Sequence, residues 1–111
     1  MQLKVGIDLV NLPRFKSKIA KRHLILDKIF SHSELKSKEE HLAGIFAAKE
    51  ATIKALGLLP GSWHHIEVVY KKSGKPSLVL TGDFAKKVES FDLSIAHEKD
   101  YLIAIVVVIF K

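Results

Sequence analysis

Cysteine is absent from the 111-residue chain, and tryptophan and methionine occur once each. Without thiols the chain has no disulfide, no cysteine-ligated metal and no cysteine nucleophile. The longest apolar stretch, Tyr101–Phe110, has ten residues, whereas a membrane-spanning helix needs about 20. The N-terminus also lacks an apolar run followed by a small-residue cleavage site. We therefore expect a soluble, cytoplasmic protein with no signal peptide and no membrane partner.

Positive charge is in excess, with 18 Lys and Arg against 12 Asp and Glu and a formal net charge of +6. Apolar residues make up 48% and charged residues 27%, which is typical of a folded domain. The length predicts one domain spanning residues 1–111. The charge favours an anionic partner such as nucleic acid, a phosphorylated ligand, an anionic surface or an acidic protein, without choosing among them.

Hydrophobic periodicity predicts helices and strands without regular βαβ alternation, so we expect an α+β fold with a mainly antiparallel sheet packed on one long helix. The long helix is predicted over Glu39–Leu56, where Gly57 ends it. The other predicted elements are strands Leu3–Val10, Ile66–Tyr70, Ser77–Leu80, Leu93–His97 and Tyr101–Phe110, a helix from Arg14 to Phe30 with a break near His23, and a short amphipathic helix over Asp83–Phe91.

The last predicted strand, Tyr101–Phe110, is almost wholly apolar and does not alternate with polar residues. A strand with one face in water usually alternates, so both faces of this one are expected to be buried. Two explanations account for this equally well. Either the strand is sandwiched within the monomer, or a second subunit covers one face.

Two acids stand in unusual surroundings. Asp8 lies among aliphatic residues in the first strand, and Glu50 lies among small residues in the middle of the long helix. If the fold brings them together, the pair can bind a hard cation such as Mg²⁺ and leave positions for phosphate oxygens. The alternative is an edge-strand acid and a solvated helix acid, and spacing alone favours that alternative.

Two lysines of the same helix have open interpretations. Lys54 lies four residues after Glu50. This position indicates either an ordinary i,i+4 ion pair with Glu50 or a cation that holds a phosphate. Lys49 projects into the apolar arc of the helix, so either its ammonium reaches the surface along that arc or the arc borders an anionic site.

A basic helical face follows the first strand. Arg14, Lys18, Lys21 and Arg22 recur at i, i+4, i+7 and i+8. The simple interpretation is a solvated charged face. We favour a docking surface for an acidic partner, because Asp27 is the one acid nearby that offsets the charge.

Several segments together resemble the bacterial holo-acyl-carrier-protein synthases, the short single-domain 4′-phosphopantetheinyl transferases. The segments are Gly6-Ile7-Asp8-Leu9-Val10 with Arg14-Phe15, Phe46-Ala47-Ala48-Lys49-Glu50-Ala51 with Lys54-Ala55-Leu56-Gly57, Gly74-Lys75-Pro76, and Leu93-Ser94-Ile95-Ala96-His97. They follow the family's order over nearly the whole chain. The resemblance implies transfer of phosphopantetheine from coenzyme A to a serine of apo acyl carrier protein in fatty acid biosynthesis, with release of adenosine 3′,5′-bisphosphate.

The resemblance also implies roles for individual residues. Asp8 and Glu50 would ligate Mg²⁺ and, with Lys54, form the catalytic set. Lys54, Lys49, Lys75 and His97 would contact coenzyme A, with Lys54 at its phosphate and His97 beside the nucleotide. The basic face of Arg14, Lys18, Lys21 and Arg22 would meet acyl carrier protein. The family is trimeric with shared sites, which agrees with the apolar last strand.

Departures from the family pattern leave other interpretations open. Ile45 stands where the family usually has Arg, Ala96 where it has Ser and Glu98 where it has Asp, and residues 58–63 lack the usual glycine-rich run. Lys49 is a candidate substitute for the missing Arg. The alternatives are an inactive homologue that still binds coenzyme A and a basic nucleic-acid-binding module. We expect no nucleic-acid partner, since no aromatic residues interleave with the basic face as a stacking platform.

Overall fold

The computed structural model describes residues 1–21 and 23–111, without the side chains of residues 23–25. Over these residues the helices are α1 (Leu12–Lys21), α2 (His23–Ile29) and α3 (Glu39–Leu56), and the strands are β1 (Gln2–Asn11), β2 (Ile66–Tyr70), β3 (Pro76–Leu80), β4 (Val88–Glu98) and β5 (Tyr101–Phe110). Short 3₁₀ turns occupy Glu34–Lys36, Trp63–His65 and Asp83–Lys87. Among these helices none is long and apolar enough to cross a membrane.

The sheet that carries most of the core is antiparallel and has the order β1-β5-β4. Strand β5 is central in this sheet. Its residue Ala104 lies opposite Asp8 of β1 on one side and opposite Ile95 of β4 on the other. Strands β2 and β3 form a separate antiparallel hairpin. The observed architecture confirms the predicted α+β class with one long helix against a mainly antiparallel sheet.

Helix α3 crosses the inner face of this sheet in very close contact with β1. Its sheet-facing residues Ala47, Ala48 and Ala51 are fully buried. A Cβ built on Gly6 would lie 1.8 Å from the backbone oxygen of Ala51, far inside van der Waals contact. Only glycine fits at this point of β1, and the close approach brings the rest of the strand against the helix. At its C-terminus α3 ends at Gly57, whose φ of 67° lies in the left-handed region, as predicted.

The exposure of the outer face of the β1-β5-β4 sheet differs from the burial predicted from the sequence of the last strand. Along β5 exposed and buried residues alternate, from exposed Tyr101 to buried Val106 and Val108. The prediction that both faces of this strand are buried is therefore wrong for the single chain, and the explanation within the monomer is excluded. The exposed apolar residues on this face, 37% to 69% exposed, are Leu3, Val5, Ile7, Leu9, Ile103 and Ile105.

The short helix predicted over residues 83–91 does not form. A single 3₁₀ turn covers Asp83–Lys87, and β4 begins at Val88. Val88 pairs with Phe110 and Phe91 pairs with Val108 across the ladder with β5. An irregularity in register between Val88 and Ser90 disrupts the alternation that identifies a strand. Pairing with a long apolar neighbour overrides the local helical pattern here.

Candidate active site

Asp8 lies on the inner face of β1, two residues beyond Gly6, and its side chain is 17% exposed. Its Oδ1 accepts a hydrogen bond from the Lys54 ammonium at 3.1 Å, and the same ammonium donates to the Ile7 carbonyl oxygen at 2.9 Å. Burial raises the pKa of Asp8, while the bond to Lys54 and its positive charge act in the opposite direction. Lys54 thus links α3 to β1 at the carboxylate, instead of making the ordinary i,i+4 pair.

Glu50 lies one turn before Lys54 on α3 and is partly buried. Burial is the largest cause that raises its pKa, and the negative charge of Asp8 raises it further. The indole N–H of Trp63 and the charge of Lys54 lower it. The fold therefore brings the two acids into one electrostatic environment, as the metal interpretation requires.

The donor set of this pair fits a hard divalent cation. Asp8 and Glu50 are two partly buried carboxylates, and the charge of Asp8 raises the pKa of Glu50. A cation bound by both would offset the cost of burying their negative charges. Within the described ranges no group of three or more His, Asp or Glu could hold a metal ion. Two protein carboxylates leave most of the coordination sphere to water and to substrate oxygens, which is the usual arrangement for Mg²⁺.

A cleft of about 900 Å³ opens over the two acids. One wall is α1, from which Arg14, Lys18 and Lys21 line the cleft. The structure places this part of the predicted basic face in the same cleft as the acid pair; the prediction for Arg22 lies outside the described residues. Apolar wall is provided by Phe15, Ile19, Leu26, Ile29, Phe30 and Phe46, with Trp63 and Tyr101 at the margins.

Two contacts hold the first half of α1 in its orientation. The Asn11 side chain caps the helix by accepting a hydrogen bond from the Arg14 N–H at 3.0 Å. On the opposite side of α1, the Lys16 ammonium binds the Glu40 carboxylate at 3.0 Å. These contacts turn Lys16 toward α3 and leave the cleft side of the helix to the other cations.

Lys49 does not line the acid pair, and the prediction that it contacts a bound phosphate is not supported. Its side chain is 2% exposed, and its ammonium donates to Glu34 Oε1 and to the Ile29 carbonyl oxygen, both at 2.6 Å. Glu34 also accepts the backbone N–H groups of Ser31 and Val68 at 2.8 Å each. Because the ammonium is buried in this internal ion pair and Lys49 does not line the cleft, its position does not support it as a substitute for the missing Arg. Ile45 itself is 1% exposed in the core.

His97 and Lys75 lie away from the cleft of their own chain. His97 is exposed near the end of β4, opposite Leu102 of β5. The Lys75 ammonium, in the turn between β2 and β3, binds Asp92 of β4 at 2.9 Å. Neither residue is among those that line the cleft. The structure thus brings Asp8, Glu50, Arg14, Lys18 and Lys21 to one cleft, with Lys54 bonded to Asp8, and leaves His97 and Lys75 apart.

Sequence reasoning missed Trp63 and Glu34. Trp63 reaches Glu50 from a segment where the sequence shows no periodic pattern, so the signal was only its size and its place after the Pro60-Gly61 turn. Glu34 lies in a short polar segment before the long helix, where no sequence pattern marks it as the partner of a lysine. The buried position of Lys49 on the helical projection was the available signal that an internal carboxylate must exist.

A cleft that combines two acids with cations, in an α+β fold, is suited to a transferase that acts on phosphate-bearing groups. The sequence profile of the 4′-phosphopantetheinyl transferase superfamily matches residues 4–106. The chain belongs to this family, among its holo-[acyl-carrier-protein] synthases. It is 34% identical over 122 residues to the holo-[acyl-carrier-protein] synthase of Caldanaerobacter subterraneus, with 98% of this chain and 96% of the relative covered.

Solved structures agree with the sequence relatives. The complex of ACPS with CoA from Chronobacterium ammoniagenes superposes with a TM-score of 0.85 at 29% identity, covering 100% of this chain and 99% of the other. The holo-[acyl-carrier-protein] synthase of Helicobacter pylori in complex with coenzyme A gives a TM-score of 0.85 at 31% identity, with 94% and 98% covered. These comparisons give no support to the nucleic-acid-binding module or the inactive homologue.

Proposed function

We propose that the chain transfers the 4′-phosphopantetheine group of coenzyme A to a serine hydroxyl of apo acyl carrier protein and releases adenosine 3′,5′-bisphosphate. The single observation that carries the proposal is that Asp8, which is bonded to Lys54, and Glu50 line one cleft together with the basic residues of α1. The substrates are inferred from the chain's membership among the holo-[acyl-carrier-protein] synthases. Fatty acid biosynthesis is the pathway proposed to use the product. A cytoplasmic location is part of the proposal.

Asp8 and Glu50 are the residues that would hold Mg²⁺. A bound magnesium ion supplies charge neutralisation at the pyrophosphate and at the leaving oxygen. Lys54 keeps Asp8 ionised and oriented, and its 55% exposed side chain leaves the ammonium able to contact a phosphate as well. Phosphoryl transfer requires mainly positioning and charge stabilisation, and these three side chains provide both without a covalent enzyme intermediate.

The basic face of α1 is proposed to dock acyl carrier protein. Arg14, Lys18 and Lys21 line the cleft, and Arg22 continues the series in the sequence. Complementary charge accelerates encounter and fixes the register of an acidic partner. A partner bound on α1 would hold its serine beside the acids, because the same cleft contains both groups.

We also propose a homotrimer with sites shared between neighbouring subunits. The exposed apolar face of β1 and β5 supports an interface, since contiguous exposed apolar surface of this kind marks association sites. In such an assembly His97 and Lys75, which lie away from their own cleft, would serve the nucleotide in the cleft of a neighbour.

The test is the mass of purified apo acyl carrier protein after incubation with this chain, coenzyme A and Mg²⁺. We expect a shift by one phosphopantetheine, which chelation of the metal abolishes. Glu50→Ala is expected to lower the rate at least about 100-fold with the fold retained. Glu39→Ala, an exposed acid on the same helix, is the matched control and should keep the rate. Near-normal transfer by Glu50→Ala would refute the metal assignment.

A further inference from the structure

Trp63 carries a buried polar atom without a hydrogen-bond partner. Of the buried side-chain nitrogen and oxygen atoms in the described part of the chain, only its indole Nε1 lacks one. Buried donors are nearly always paired, because an unpaired N–H loses its hydration without compensation. An unpaired buried donor in a native fold therefore needs an explanation. One explanation is an acceptor group that turns toward the donor when a ligand binds.

The surroundings of the indole identify that group. Trp63 opens the 3₁₀ turn Trp63–His65 and lines the same cleft as Asp8 and Glu50. Asp8 already accepts a hydrogen bond from Lys54. Within residues 1–21 and 23–111, no hydrogen bond of standard geometry reaches the Glu50 carboxylate. Trp63 and Glu50 line the same cleft, so the unpaired indole N–H and a carboxylate with no donor bound to it share one cavity.

We propose that Trp63 is a positioning residue for the divalent ion. Its indole N–H donates to one oxygen of Glu50 and leaves the other oxygen to the ion. The inference rests on the proposed function, since it assigns Trp63 to the metal site proposed there. Carboxylates that bind metals are themselves held by hydrogen bonds, and these supporting groups affect metal affinity strongly.

The chemistry of the two donors is suited to their two acids. Lys54 supplies a charge, which stabilises Asp8 but also repels a neighbouring cation. Trp63 supplies a neutral N–H, which stabilises the Glu50 anion without adding positive charge. Lys54 and Trp63 thus each stabilise the ionised form of one carboxylate. Because only one of the two donors is cationic, the acid pair keeps most of its attraction for a divalent ion.

The experiment uses the fact that Trp63 is the only tryptophan in the chain. Residue-specific incorporation of benzothienylalanine replaces its N–H by sulfur, which cannot donate a hydrogen bond, in a ring system of nearly the same shape. Mn²⁺ affinity is measured by electron paramagnetic resonance, with and without coenzyme A. We expect a dissociation constant about 10- to 100-fold higher than for the unmodified chain. Trp63→Phe should behave alike, and 5-fluorotryptophan, which keeps the N–H, is the matched control with unchanged affinity.

The outcomes separate this inference from the proposed function. Equal Mn²⁺ affinity for the benzothienylalanine and unmodified proteins would overturn the role of Trp63 while transfer activity remained. In a Glu50→Gln background the benzothienylalanine change should have no further effect on Mn²⁺ binding; an equal further loss would also overturn it. An unmodified chain that transfers phosphopantetheine but binds no Mn²⁺ would overturn the metal assignment and the inference together, and one that does neither would overturn the proposed function as well.

Discussion

At Glu50 two effects act in the same direction on one carboxyl group. Burial and the charge of Asp8 both raise its pKa, so the folded chain binds this proton more tightly than the unfolded chain does. Stability therefore falls as pH rises from the ordinary pKa of Glu to the raised one, because the native state holds more protons over that window. An ionised Glu50 at neutral pH is a local loss of stability that a bound cation would recover.

The prediction is that Glu50→Gln stabilises the metal-free fold. At neutral pH its free energy of unfolding should exceed that of the unaltered chain by up to about 1 kcal/mol, a value limited by solvent screening. The difference should shrink as pH falls below the ordinary pKa of Glu, where the carboxyl is neutral in both states. Urea unfolding at several pH values measures it. Added Mg²⁺ should raise the stability of the unaltered chain and not of the variant; a variant less stable at neutral pH would contradict the assignment.

A second prediction at the residue scale concerns Gly6. Because a Cβ at this position meets the backbone oxygen of Ala51 at 1.8 Å, no side-chain movement can relieve the contact. We expect Gly6→Ala to lower the free energy of unfolding by about 3 kcal/mol, at the upper end for overpacking. Gly44→Ala is the control, since its nearest contact would be an ordinary 3.7 Å to Leu102, and it should be neutral or mildly stabilising. Equal effects in urea unfolding would contradict the close approach of β1 and α3.

At the scale of elements, the parts of the fold with one strong local pattern were predictable. The 3.6-residue period of α3 and its Gly57 stop gave the observed helix, and the alternation of β1 gave the observed strand. The predicted break near His23 falls at residue 22, which lies outside the described residues. Residues 83–91 were not predictable locally, because pairing of Val88 and Phe91 with β5 determines their structure.

The candidate site was predictable to a similar extent. Asp8, Glu50 and Lys54 are identified from the family blocks, but their convergence depends on the glycine contact between β1 and α3, which no single segment specifies. The contacts of Lys49 and Trp63 could not be predicted from the sequence. The ion pair of Lys49 joins it to Glu34 in a distant turn, and the indole of Trp63 reaches the cleft from a short 3₁₀ turn after α3. Side-chain partners that come from separate segments have no local sequence pattern.

Helix α1 yields a prediction about partner binding. Lys18 and Lys21 line the cleft without a salt bridge to any described residue, so their charge is available to an acidic protein. Lys18→Glu with Lys21→Glu should lower kcat/KM for acyl carrier protein at least about tenfold at low salt, chiefly through KM, and leave KM for coenzyme A nearly unchanged. Lys71→Glu with Lys72→Glu, in the turn after β2, is the control of equal charge change. Equal losses for both pairs would show a general charge effect instead of a docking face.

For the whole molecule, the distribution of site residues is the argument for an assembly. One chain brings two acids and three cations to a cleft, while His97 and Lys75 lie elsewhere, and an apolar sheet face is left uncovered. A cyclic trimer that buries this face would place the residues of one subunit beside the cleft of the next, because heterologous contacts join different surfaces of neighbouring copies.

Subunit complementation tests this arrangement. Glu50→Ala and His97→Ala are each expected to be impaired as pure proteins. Co-expressed in equal amounts, they form mixed trimers in which about one quarter of the clefts receive an intact Glu50 from one chain and an intact His97 from its neighbour. Activity should therefore recover to about one quarter of that of the unaltered enzyme, whereas mixing the two purified trimers without subunit exchange should recover none. Ile105→Glu, on the exposed sheet face, should give monomers by light scattering and abolish the recovery. A trimer in which co-expression restores no activity would show that each cleft is complete within one chain.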